Sequence, residues 1–182
     1  MNSCLWGISY NLIEYRMKKL LRRMVATPMR KSYFFLSLIL ARIILSSVET
    51  TFLILFALLY FKISITGSIP ALFMIYLSGI CVFSGIAILV SARTSNSQVG
   101  NGIINVVILP MTILSGVFFN YHNFPEWAVK IIQFLPLTVL TDNLRGIFVE
   151  GFSNSSVVFP SLGLMLAGCL CFLVGLRIYK WY

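Results

Sequence analysis

The sequence predicts an all-α integral membrane protein: about four transmembrane helices, a basic amphipathic helix near the start and an outer re-entrant helical hairpin. Three observations carry this expectation. The chain is 59% hydrophobic and 10% charged over 182 residues, with a mean hydropathy of +0.93. A soluble domain of that length has too little interior for so much apolar side chain, so the bilayer must act as solvent. Several runs reach the ~20 residues a helix needs to cross the hydrocarbon, and helix is the form in which a lone segment satisfies its own backbone there.

The first residues, MNSCLWGISYNLI, are apolar but too short to span. Their charges follow the apolar part instead of preceding it, which does not fit a secretory leader. Glu14–Lys31 reads EYRMKKLLRRMVATPMRK and holds Arg16, Lys18, Lys19, Arg22, Arg23, Arg30 and Lys31, half of the fourteen basic residues. Ile13, Met17, Leu20, Leu21, Met24 and Val25 recur between them at helical spacing, which predicts an amphipathic helix. Thr27–Pro28 stops it, because the residue before proline is pushed out of the helical region. Such a helix either rests on anionic lipid, at ~1 kcal/mol per basic residue, or docks on a soluble partner.

Residues 33–61 form the first expected span, with Arg42 and Glu49 seven apart and so on one helical face. An ionised group near the bilayer centre costs at least ~2.5–3.5 kcal/mol, so these two should face protein, water or each other. For Arg42 the alternative is a side chain snorkelling to the headgroups; for Glu49 a buried polar contact with another helix is expected. The second span is 69–92, where Cys81 and Gly85 permit close approach of a neighbour. After the polar loop 93–101 comes the third, 102–119, which Pro110 should kink. Asn105 lies inside this span and must face either the bundle or a polar path. The fourth span is 157–176, with Pro160 in its first turn and Cys171 and Gly175 as a second small pair.

Residues 123–150 differ from the rest. Pro125, Glu126 and Trp127 open one short helix, and Pro136 divides it from another that carries Asp142 and Arg145 at i, i+3 spacing. Neither half is long enough to cross, which predicts a re-entrant or interfacial hairpin with Trp127 at headgroup level.

Loop charges set the orientation. Arg16, Lys18, Lys19, Arg22, Arg23, Arg30, Lys31, Arg93, Arg177 and Lys180 fall on one side, and Lys62, Lys130 and Arg145 on the other. The basic side is cytoplasmic by the positive-inside rule, so both termini are expected in the cytoplasm and the hairpin outside. The net charge of +9 is explained by these loop ends and does not call for nucleic acid. Cys4, Cys81, Cys169 and Cys171 lack metal-ligand spacing and read as small interior residues. His122 is the sole histidine, and no serine or cysteine stands in a nucleophile context, so no enzyme is expected. No glycine-rich phosphate loop is present either, so any ATP and Mg would be bound by a partner.

At this point the residues resemble a family, the ABC-2 type transporter permeases. The resemblance lies in Ala26-Thr27-Pro28-Met29-Arg30 running into a span, and in Leu109-Pro110-Met111 leading to Leu114-Ser115-Gly116-Val117-Phe118-Phe119. It continues in Phe124-Pro125-Glu126-Trp127 and in Leu135-Pro136-Leu137-Thr138 through Asp142-Asn143-Leu144-Arg145. Order and spacing agree from about Glu14 to Gly151. The resemblance implies the membrane subunit of an ATP-driven exporter in a bacterial cytoplasmic (inner) membrane, paired as a dimer and docked on an ABC ATP-binding subunit. It makes Glu14–Pro28 the coupling helix, with Glu14, Arg16, Lys18, Lys19, Arg22, Arg23, Thr27 and Pro28 as its residues. Arg42, Glu49, Asn105 and Pro110 then serve the translocation path or helix packing, and the hairpin bearing Pro125, Glu126, Trp127, Pro136, Asp142 and Arg145 closes the outer exit.

The family usually has six spans, and residues 1–13 look like the tail of a preceding one, so the chain resembles the C-terminal two-thirds of a permease. The leading expectation is export of a lipid-like, glycan or drug-like substrate. The alternative is a truncated or non-transporting membrane scaffold derived from such a permease.

Overall fold

The computed structural model describes residues 2–20, 31–60, 67–92, 94, 96–118 and 124–178. They form α1 (Asn2–Met17), α2 (Lys31–Tyr60), α3 (Ile69–Ser91), α4 (Ser97–Leu114), α5 (Glu126–Ile132), α6 (Pro136–Arg145) and α7 (Asn154–Ile178). A π-helical turn, Gly146–Glu150, continues α6. Among the described residues there is no strand. The candidate spans are Tyr33–Tyr60, Ile69–Ser91, Ser97–Leu114 and Asn154–Ile178. This is the all-α membrane fold that composition predicts.

Where boundaries differ from expectation, local chemistry explains the difference. α4 begins at Ser97, inside the stretch read as a polar loop, because the Asn96 carboxamide accepts the Gln98 N–H at 3.0 Å and caps the first turn. It ends at Leu114 instead of reaching residue 119. Gly116 takes φ 79°, a left-handed position that closes helices and that glycine enters without a Cβ penalty. α7 starts three residues early, at Asn154, so Pro160 falls inside the helix and not in its first turn. α1 runs unbroken through Glu14 and Arg16, so the boundary drawn at Glu14 is not a break in the backbone.

The chain divides into two compact units. The first comprises Met1–Ile63, Phe83–Ile104 and Gly168–Tyr182. Within it α1 buries Cys4, Leu5, Ile8, Ser9, Leu12 and Ile13, a stripe that repeats every four residues along one face. α2 supplies Phe34, whose ring lies 6.0 Å from that of Tyr15, and Phe35, fully buried with its ring edge-on to Phe172 at 6.4 Å. Ser9 Oγ donates to the Ala87 carbonyl at 3.1 Å, and Cys4 Sγ meets Ser84 Oγ at 3.6 Å. Pairings of residue 4 with 84 and 9 with 87 make α1 parallel to this part of α3. The contact of Tyr15 with Phe34, and of Gly7 with Arg42, makes it antiparallel to α2. Gly85 lets the α7 backbone come so near that a Cβ there would strike the Gly168 carbonyl and touch Cys171. The small-residue approach expected of Gly85 and Cys171 is therefore present. Cys169, in contrast, faces outward and is not interior.

The second unit comprises Ser64–Val82 and Asn105–Ala167. Here the hairpin residues meet the opening turns of α3 and α7. Ser68 Oγ donates to Asn154 Oδ1 at 2.7 Å, and Gly67 lies so close to the Ile147 carbonyl that a Cβ would not fit. Thr141 Oγ1 donates to the Ser115 carbonyl at 3.0 Å and so ties α6 to the residue just beyond α4.

Candidate functional site

The sequence proposes three groups of functional residues. The first is the basic helix, of which Glu14, Arg16, Lys18 and Lys19 are described; Arg22, Arg23, Thr27 and Pro28 lie outside the described residues. α1 ends here for two reasons. The Lys19 N–H turns back to the Arg16 carbonyl at 3.0 Å, and Lys19 itself has φ 56°, a left-handed position that costs a non-glycine residue ~1–2 kcal/mol. Glu14 and Lys18 pair at 2.7 Å with i, i+4 spacing. The carboxylate beside it holds the Lys18 ammonium pKa above the usual lysine value, through its hydrogen bond first and its charge second.

Arg16 behaves differently from its basic neighbours. Its Nη1 donates to the Thr94 carbonyl at 2.7 Å and its Nη2 to the Ala92 carbonyl at 2.9 Å. These carbonyls follow the last residue of α3, where a helix leaves acceptors unsatisfied and carries its negative dipole end. A sequence signal for this existed. The buried stripe of α1 runs through Ser9 and Leu12, and the next position on it is Arg16.

The second group is in α2. Arg42 Nη2 lies 3.8 Å from Glu49 Oε1, which bears out the shared face read from their spacing. Both meet Ser3 of α1: Ser3 Oγ donates to the Glu49 carboxylate at 3.3 Å and accepts from Arg42 Nη2. Gly7 makes room for this, since a Cβ there would sit 3.0 Å from Arg42 Nη1. The Arg42 side chain is 12% exposed, so it lies against α1 instead of snorkelling along its own helix. Its Nε is buried with no hydrogen-bond partner among the described residues. Glu49 makes a polar contact with another helix, through Ser3, but the contact is not the buried one expected: its side chain is 52% exposed because it meets α1 at an open edge of α2. Ser3 had no signal in the sequence.

The third group lies on α4 and the hairpin. Asn105 is at the middle of α4, exposed, and its side chain makes no hydrogen bond among the described residues. Pro110 is inside α4 and also exposed. α4 therefore presents a bare carboxamide halfway along its length. Thr112 satisfies its hydroxyl locally on the Ile108 carbonyl at 2.9 Å. On the hairpin, Pro125 accepts the N–H groups of Ala128 and Val129, and Pro136 stands at the first position of α6 behind an extended Leu135. Glu126 and Trp127 are exposed, Asp142 is half-buried and Arg145 exposed. The π-helical turn ends at Gly151 with φ 68°, and Phe152 occupies the space where a Cβ on Gly146 would fall. Thr138 is fully buried, with its hydroxyl unpartnered among the described residues. Among the described residues, no group of three or more His, Cys, Asp or Glu could hold a metal ion.

Among the described residues, four helices long and apolar enough to cross a bilayer make this a multi-pass membrane protein. The profile of the ABC-2 type transporter family matches residues 1–149. The chain belongs to that family and is a permease component of an ABC transporter. Neither a curated protein nor a solved structure matches it.

Proposed function

We propose that the chain is the permease subunit of an ATP-driven exporter. It works as a dimer, lines the translocation path, and couples to a separate ATP-binding subunit that holds the ATP and Mg. Family membership over residues 1–149 carries this reading. The absence of a phosphate-binding loop from the full sequence supports a separate source of energy.

Asn105 supports the path. An exposed carboxamide in mid-span is poorly solvated by lipid, whereas a water-filled path or a second copy supplies hydrogen-bond partners. In this account the protein sits in the bacterial inner membrane with both termini in the cytoplasm. Arg22 and Arg23 meet the acidic surface of the ATP-binding subunit, and the hairpin carrying Pro125, Trp127, Pro136, Asp142 and Arg145 flanks the outer exit. ATP-driven closure of the partner pushes the basic segment and rocks the spans between inward and outward states.

The test is affinity purification of the full chain from its own membranes, followed by assay for a bound ATP-hydrolysing subunit. Replacing Arg22 and Arg23 together by Glu should remove that subunit while the chain still accumulates. Undiminished capture would contradict the docking.

A further inference from the structure

The ATP-driven reading needs a route by which displacement at the basic segment reaches the spans. We infer that Arg16 is the positioning residue that provides it, by joining the exit of α1 to the end of α3 and the start of α4. The inference rests on the proposed function for its driving force and on the geometry for its route.

The geometry is specific. One planar guanidinium spans two carbonyls, Thr94 at 2.7 Å and Ala92 at 2.9 Å, just past the end of α3. Charge-assisted bonds of this kind are worth about twice neutral ones, and two from one rigid fork fix direction as well as distance. A lysine in the same place has one flexible ammonium and cannot hold both carbonyls in that plane.

Three residues before Arg16, Ile13 packs on Gly100 in the first turn of α4, so closely that a Cβ on Gly100 would collide with Ile13 Cδ1. α1 therefore grips both sides of the α3–α4 connection. Farther along, Ser9 on Ala87 and Cys4 on Ser84 hold the earlier turns of α1 to α3. Arg16 is the fastener nearest to Lys19, whose left-handed backbone ends α1 just before the segment proposed to meet the ATP-binding subunit. A push applied there first reaches α3 through Arg16. Had Arg16 faced outward with Lys18, the hydrogen bonds joining α1 to α3 would begin only farther back, at Ser9 and Cys4.

The test follows amide hydrogen exchange in the full chain, alone in nanodiscs and in complex with its ATP-binding subunit, with and without a non-hydrolysable ATP analogue. In the chain alone, Arg16→Gln should speed exchange at Ala92, Thr94 and Gly100 by about tenfold, the scale set by one charge-assisted hydrogen bond. In the wild-type complex, ATP analogue should alter exchange at Lys18 and Lys19 and also at Ala92, Thr94 and Gly100. In Arg16→Gln the response should persist at Lys18 and Lys19 and vanish at the other three; Arg16→Lys should restore part of it. A static anchor predicts the first effect and not the second. An unchanged nucleotide response at Ala92, Thr94 and Gly100 in Arg16→Gln would overturn the inference. So would a wild-type response confined to Lys18 and Lys19. If no ATP-binding subunit joins the wild-type chain, the exporter reading fails and the coupling role falls with it. The exchange of the chain alone then still reports whether the Arg16 link exists, which separates the two failures.

Discussion

Arg42 and Glu49 face each other at 3.8 Å across two turns of one membrane helix, and Ser3 of α1 touches both. The arrangement converts a liability into a fastener. Either charge alone in a span is costly, whereas the pair, bridged by a hydroxyl, holds α1 to α2. Glu49→Gln keeps an acceptor for Ser3 but leaves the Arg42 charge unbalanced. It should destabilise the chain by ~1–2 kcal/mol, below the ~3–5 kcal/mol for breaking a fully buried pair because Glu49 is half-exposed. The double variant Arg42→Gln, Glu49→Gln should recover part of the loss. A double-mutant cycle on reversible unfolding in detergent checks this, with an expected coupling of ~1 kcal/mol. Strict additivity would contradict the pairing.

Gly85 and Gly163 make a matched comparison. At Gly85 a Cβ meets the Gly168 carbonyl, and at Gly163 it meets nothing within 4 Å. Gly85→Val should therefore cost ~2–3 kcal/mol through overpacking. Gly163→Ala should be neutral or stabilising by up to ~1 kcal/mol, since glycine is a poor helix former. Thermal melting of the two purified variants decides between them.

The end of α1 yields a pH prediction. Glu14 raises the Lys18 pKa in the folded chain, so the stability this pair contributes is present below the unfolded lysine pKa and disappears as pH rises through the raised folded value. Glu14→Gln should move the Lys18 titration, followed by NMR of the labelled ammonium, back down towards the ordinary lysine range. Lys19→Gly should be tolerated at its left-handed position, while Lys19→Val should destabilise the helix end by ~1–2 kcal/mol.

What the sequence made legible follows from the range of the interactions involved. The spans were legible because hydropathy needs no knowledge of neighbours, and the shared face of Arg42 and Glu49 because helical periodicity is local. The Ser3 bridge was not, since 39 residues separate it from Arg42. The ends of α4 were misplaced because Asn96 acts as a cap and Gly116 as a stop, each through a backbone geometry that a hydropathy window averages away. Charge alone does not distinguish Arg16, which turns inward, from Lys18 and Lys19, which are exposed. Only the stripe ending at Ile13, read forward by one turn, points to it.

Asn105 gives a direct probe of the path. Its side chain makes no hydrogen bond among the described residues, so Asn105→Cys should leave folding unaffected. The new thiol should react with a small water-soluble thiosulfonate or cross-link to a second copy. A cysteine at Leu166, exposed at the middle of α7 near Leu162, Met165 and Leu170, serves as the comparison. Reaction at Asn105→Cys no faster than at Leu166→Cys, with no cross-link, would remove α4 from the path and from the dimer contact.

The central claim is that this permease works through a separate ATP-binding subunit. The decisive measurement is the rate of ATP hydrolysis by that subunit in nanodiscs, with the wild-type chain, with the Arg22→Glu, Arg23→Glu variant, and without the chain. The account predicts a rate raised several-fold by the wild-type chain, on the order of 1 kcal/mol of coupling, and left at the subunit's own level by the variant. Equal rates in all three preparations would contradict it.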